Sequence, residues 1–141
     1  MKIFDVKNDA LNYEFVYNSG ETKLLKELFN NSNKPVTIDA LRRVALWKLN
    51  RVLSIPNPLL NKLSDLRTMN IKDFKSEEVK NVITELISCE GVGLPMASTI
   101  LKFLCPDVFP IIDVRAYRAI YGKKIYSSQY TIKTYYDYIE K

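Results

Sequence analysis

The feature that most constrains this chain is a five-residue break, "CEGVG" at 89–93, between two stretches of helical periodicity. Upstream, "KSEEVKNVITELIS" sets Val79, Val82, Ile83, Leu86 and Ile87 on one stripe, with Ser76 placed as N-cap and Glu77 and Glu78 suited to the helix dipole. Downstream, "LPMASTILKFL" gathers Met96, Ala97, Ile100, Leu101 and Leu104 on a shared face. Pro95 is tolerated in a first turn there, and Pro106 stops the helix. Five residues leave room only for a tight reversal, which requires backbone angles that glycine adopts cheaply. Two of the four glycines in the chain stand in this break. The spacing predicts two helices joined by a hairpin, the second opening with bare N–H groups from Gly93 onward, a natural seat for a phosphate. An ordinary helical turn with glycines chosen for the bend alone fits the same residues.

Helical periodicity extends over most of the chain from about Glu21. In "TIDALRRVALWKLNRVL" apolar residues recur at Ile38, Leu41, Val44, Ala45, Trp47, Leu49 and Val52, with Thr37 as N-cap and Pro56 beyond the end. "NPLLNKLSDL" reads as a short helix with Pro58 in its first turn. A further helix is expected from Asp113, with Val114, Tyr117, Ala119 and Ile120 as its buried candidates, and a last one in "TIKTYYDYIEK". "LNYEFVYNSG" alternates like a strand over Tyr13, Phe15 and Tyr17, but a lone strand has no partner. The expected fold class is all-α, a single-domain helical bundle over 1–141.

Composition narrows the chemistry. The chain has no histidine and two distant cysteines, Cys89 and Cys105. Histidine-based nucleophile systems, histidine metal sites and a four-cysteine iron–sulfur cluster are thereby excluded within one chain. Both thiols are expected as buried free cysteines. No apolar run reaches the roughly 18–20 residues of a membrane span, and Asp5 and Asp9 argue against a signal peptide, so an intracellular, cytoplasmic address is expected. The net charge is +5. From Leu94 to Lys133 six cations (Lys102, Arg115, Arg118, Lys123, Lys124, Lys133) face Asp107 and Asp113, so most of the excess lies beside the glycine pair. That charge permits a polyanionic partner; a solvated face is the plainer account.

"GVGLPMASTILKFLCPDVFPIID" resembles the helix–hairpin–helix and following aspartate loop of the HhH-GPD superfamily of DNA glycosylases. The resemblance spans roughly residues 79–121 and rests on Gly91, Val92, Gly93, Ala97, Pro110 and Asp113 in the family's order and near its spacing. It implies a hairpin backbone, here Gly91, Val92 and Gly93, that holds a phosphate of duplex DNA, with Arg115 and Arg118 as further phosphate contacts. It implies Asp113 as the carboxylate at a base pocket, stabilising an oxocarbenium-like sugar or preparing a water once a damaged base has been flipped from the stack. No cofactor and no side-chain metal site are required; in the family a monovalent cation at the hairpin carbonyls often assists.

The sequence also departs from that pattern. Strand-nicking members carry a lysine two residues after the glycine turn, where this chain has Pro95, so a Schiff base cannot form there. The implied enzyme is a monofunctional glycosylase without lyase activity. Lys102, two turns further on, is no substitute. Cys89–Glu90 replaces the family's Leu-Pro, and an acid beside a phosphate seat is electrostatically awkward. Only 28 residues follow Asp113, where the family has another helix or two, which suggests a trimmed variant or a shortened form. Asp113 also suits an N-cap, a role worth about 1 kcal/mol. Seven of nine tyrosines fall after position 116; packing of the last helix with hydroxyls at the surface is expected for most of them, and core packing for Trp47. A non-catalytic DNA-binding module and a helical protein–protein adaptor remain the alternatives.

Overall fold

The computed structural model describes residues 17–30 and 33–141. Among these the chain is all-helical, with seven α-helices, one 3-10 turn and no strand. The strand-like alternation over Tyr13 and Phe15 lies outside the described residues. No described helix is long and apolar enough to cross a membrane. The chain divides into two compact units, Met1–Val52 and Leu53–Lys141.

The first unit contains α1 (Ser19–Phe29) and α2 (Ile38–Lys48), which pack on each other. Asn18 caps α1 by accepting from the Glu21 amide at 2.8 Å, and Thr37 caps α2 by accepting from the Ala40 amide at 3.2 Å. Leu25 and Ala40 are the buried residues of the two helices, and Arg43 grips Glu21 through two bonds of 2.8 and 2.9 Å. The apolar pattern predicts a helix through Val52, but α2 stops at Lys48. Asn50 takes a left-handed φ of 52°, the Asn50 amide donates to Trp47 O at 3.0 Å, and the Arg51 amide reaches Leu46 O at 2.9 Å. That pair of bonds is a Schellman stop, and asparagine tolerates its left-handed residue. Ile38, Leu41 and Leu49 of the expected stripe are exposed.

The second unit contains α3 (Asn57–Thr68), α4 (Glu77–Ile87), α5 (Leu94–Leu104), α6 (Val114–Tyr121), the 3-10 turn Ser127–Gln129 and α7 (Ile132–Ile139). Its core runs from Leu59 to Tyr138 and takes residues from every α-helix except α6, together with Val92, Phe109, Ile112 and Ile125 from the connections. Each fully buried Leu or Ile contributes about 1.5–3 kcal/mol. Ser76 caps α4 as expected, and Val79, Val82, Ile83 and Leu86 are buried. No residue of α6 is fully buried: Val114, Ala119 and Ile120 are exposed and Tyr117 is half-buried. This helix packs through Ala116, Tyr117 and Tyr121 instead, with Tyr117 stacked on Tyr121 at 4.4 Å and on Tyr138 at 6.3 Å. Cys89 and Cys105 are free and only half-buried. Burial pushes the Cys105 thiol above its ordinary range, which disfavours a reactive thiolate.

Candidate functional site

Helices α4 and α5 pack together and are joined by residues 88–93. Within that turn the Val92 amide donates to Cys89 O at 3.1 Å, and Gly91, at the third turn position, has φ +78°. A positive φ there is the type II requirement and explains the glycine. Gly93 is different. Its φ of −93° and ψ of 174° are open to any residue, and a Cβ on it would meet only Pro95 Cδ at 3.8 Å. The backbone therefore demands one of the two glycines, not both.

Gly93 is the N-cap of α5, and no side chain caps that helix. Gly91 and Gly93 are exposed, whereas Val92 is 5% exposed and Leu94 4%. Val92 can thus meet a partner only through its backbone; its side chain belongs to the core. Pro95 is within the first turn of α5. Its carbonyl accepts from the hydroxyls of Ser98 at 2.8 Å and Thr99 at 2.9 Å.

Asp113 stands at the end of the connection from α5 to α6, and that connection is fixed with unusual completeness. Phe109 and Ile112 anchor it in the core. Tyr135 donates its hydroxyl to Pro110 O at 2.8 Å, and Tyr138 donates to Ile111 O at 3.0 Å. The Ile112 amide donates to Ser98 Oγ at 3.1 Å. Three consecutive residues are therefore clamped by side chains from α5 and α7. Asp113 then caps α6, with Oδ1 accepting from the Ala116 amide at 2.7 Å. The carboxylate is half-exposed. Burial first, and the Asp113 charge second, raise the hydroxyls of Tyr130 and Tyr138 above their ordinary range, which places both phenols within the field of that carboxylate.

Ser98 also links the two halves of the candidate site. It lies five residues along α5 from Gly93, roughly 7.5 Å by helical rise, and holds the residue next to Asp113. Asp113 does not line any of four cavities of ≈ 260–460 Å³ that open elsewhere among the described residues.

Arg115 and Arg118 are exposed on α6, and among the described residues neither forms an ion pair. Gly122 ends α6 in the left-handed region at φ 68°, followed by exposed Lys123 and Lys124. Lys102 is committed elsewhere, donating to Pro106 O at 2.6 Å, and Lys133 pairs with Asp137 at 2.6 Å. Arg115, Arg118 and Lys123 are thus available to an anionic partner, while the Lys124 ammonium lies over the Tyr126 ring at 5.4 Å.

Sequence reasoning missed the clamp. The expectation of tyrosine hydroxyls at the surface fails for Tyr135 and Tyr138, which are 0% and 5% exposed and spend their hydroxyls on backbone carbonyls. A signal was present in Ser98: it shares the i, i+4, i+7 face with Leu94 and Leu101, and a polar group on a buried face requires a partner. No family model, curated protein or solved structure matches this chain.

Proposed function

We propose that this protein binds duplex DNA through the α4–α5 turn, used as a helix–hairpin–helix, and that it is a monofunctional DNA glycosylase with Asp113 as its carboxylate. The observation that carries the reading is Gly93: an exposed, uncapped helix N-terminus whose glycine the backbone does not require. Absence of a side chain there favours close approach of a phosphate to the amides of α5. Arg115 and Arg118, which form no ion pair among the described residues, supply charge for flanking phosphates together with Lys123 and Lys124.

In the proposed reaction the bond between the sugar C1′ and the base nitrogen breaks, and its electron pair leaves with the base, which takes up a proton. Water adds its oxygen to C1′ and loses a proton. With Oδ1 held by the Ala116 amide, Oδ2 of Asp113 is left to face the positive sugar or the water. A carboxylate fixed at both its backbone and one oxygen needs little reorganisation as charge develops. Pro95 provides no amine, so the abasic product is released without strand cleavage. A monovalent cation at the turn would compete with existing bonds: Cys89 O accepts from the Val92 amide and Glu90 O from the Ser54 amide, each at 3.1 Å. At these two carbonyls it would use the second lone pair, and no step here depends on it.

The test is incubation of the protein with a panel of damaged-base duplexes, followed by hot alkali. Alkali-dependent breaks are expected for at least one lesion, and Asp113→Asn is expected to abolish them while sparing DNA binding. Unchanged turnover in that variant removes Asp113 from its role. A second reading, a non-catalytic DNA-binding module, is favoured by the capping bond of Asp113 and by its position outside the four cavities. Salt-sensitive binding without base release from any duplex is its expected signature.

A further inference from the structure

Trp47 lies flat on Tyr17, with ring centroids 4.3 Å apart and 21° between planes. Its indole N–H donates to Thr22 Oγ1 at 2.8 Å, and the Thr22 hydroxyl donates in turn to Asn18 O at 2.8 Å. The indole is therefore held by a hydrogen bond on its edge as well as by the stack. The pair lines a cavity of ≈ 460 Å³ together with Ser19, Thr22, Lys23 and Lys26. None of these six residues is acidic. Lys23 and Lys26 are exposed, and neither forms an ion pair among the described residues. Of the two acids on α1, Glu21 is occupied by the guanidinium of Arg43, and Glu27 is exposed and does not line the cavity.

We propose that this cavity of the first unit is a binding site for single-stranded nucleic acid, with an unpaired base stacking on the Tyr17–Trp47 pair and backbone phosphates neutralised by Lys23 and Lys26. Every base offers a π-face, and stacking on an aromatic ring combined with nearby cations is the recurrent solution for unpaired strands. The two lysines are three residues apart on α1, roughly 4.5 Å by rise, so both ammonium groups serve one short run of phosphates. A duplex buries its base faces within its own stack and cannot use the platform. A purely acidic peptide would need the lysines and leave the aromatic pair idle. This site is independent of the glycine turn and of Asp113.

Trp47 is the one tryptophan in the chain, so its emission reports on this site alone. The full-length protein would be titrated with six-nucleotide oligothymidylate, with oligouridylate of the same length, with an abasic six-mer and with a fully paired duplex. Saturable quenching is expected from the oligothymidylate, with log affinity falling against log salt at a slope of about −1.4 for two phosphate contacts. Comparison with oligouridylate assigns the strand as DNA or RNA. The double variant Lys23→Ala/Lys26→Ala is expected to flatten the salt slope, and Tyr17→Ala to weaken binding about tenfold, with helical circular dichroism unchanged in both. Arg115→Ala/Arg118→Ala should leave the quenching intact, so failure here and failure of the glycosylase reading are separable. Absence of quenching, equal quenching by the abasic strand or the duplex, or indifference to the lysine variants overturns the proposal.

Discussion

Two tyrosines one residue apart in α7 carry opposite consequences. Tyr135 is fully buried and spends its hydroxyl on the part-buried Pro110 O, so Tyr135→Phe removes that hydrogen bond and is expected to cost about 0.5–1.5 kcal/mol in chemical denaturation. Among the described residues the buried hydroxyl of Tyr136 has no hydrogen-bond partner, so Tyr136→Phe is expected to be neutral or slightly stabilising in the same assay. A loss of more than about 1 kcal/mol in Tyr136→Phe would show that this hydroxyl has a partner after all. Burial, and secondarily Tyr138, hold the Tyr135 hydroxyl far above its ordinary value of about 10. A folded-state value above the unfolded one gives stability that is complete below about pH 10 and is lost as pH rises through the folded value. Melting temperature is therefore expected to fall from about pH 10 upward, and less steeply in Tyr135→Phe. Tyr121, Tyr130, Tyr136 and Tyr138 are shifted the same way and should leave a residual slope.

The α4–α5 turn separates what a backbone needs from what a partner would need. Gly91→Ala forces a side chain into the left-handed region and is expected to cost about 1–2 kcal/mol, read from the denaturation midpoint. Gly93→Asp adds a capping carboxylate at a helix N-terminus with room for its Cβ, and is expected to stabilise by about 0.5 kcal/mol. The same substitution places an anion where the proposed phosphate sits, so duplex binding is expected to drop although stability rises. Equal or tighter binding by a more stable Gly93→Asp protein would sink the phosphate seat. Caps and stops of this kind were legible beforehand: Thr37, Ser76 and Asp113 are found as N-caps, and Pro106 follows α5. They are local, since a side chain reaching an amide three residues on depends on nothing else in the fold. The end of α2 was misread because Asn50 turns the chain back while apolar residues continue beyond it.

At the scale of the whole molecule, the principal hydrophobic core among the described residues belongs to one unit. All of its buried members lie between Leu59 and Tyr138, so a fragment spanning Leu53–Lys141 contains every one of them. Such a fragment is expected to fold alone with a single cooperative transition and helical circular dichroism. A fragment that stays unfolded would mean that the first unit supplies stability beyond its own contacts. The sequence by itself marked most of the helices, the caps of α2, α4 and α6, and the buried face of α4, because helical periodicity and capping act within a few residues; the faces it assigned to α2 and α6 are not buried. It also singled out Gly91, Gly93 and Asp113, as types of residue at a spacing. Only the tertiary structure decided that Gly91 alone is forced, that α6 lies at the surface, and that Ser98, Tyr135 and Tyr138 hold the Asp113 segment. The last of these joins residues 14 to 27 positions apart through single hydrogen bonds, and no local pattern encodes which distant partner a hydroxyl will find.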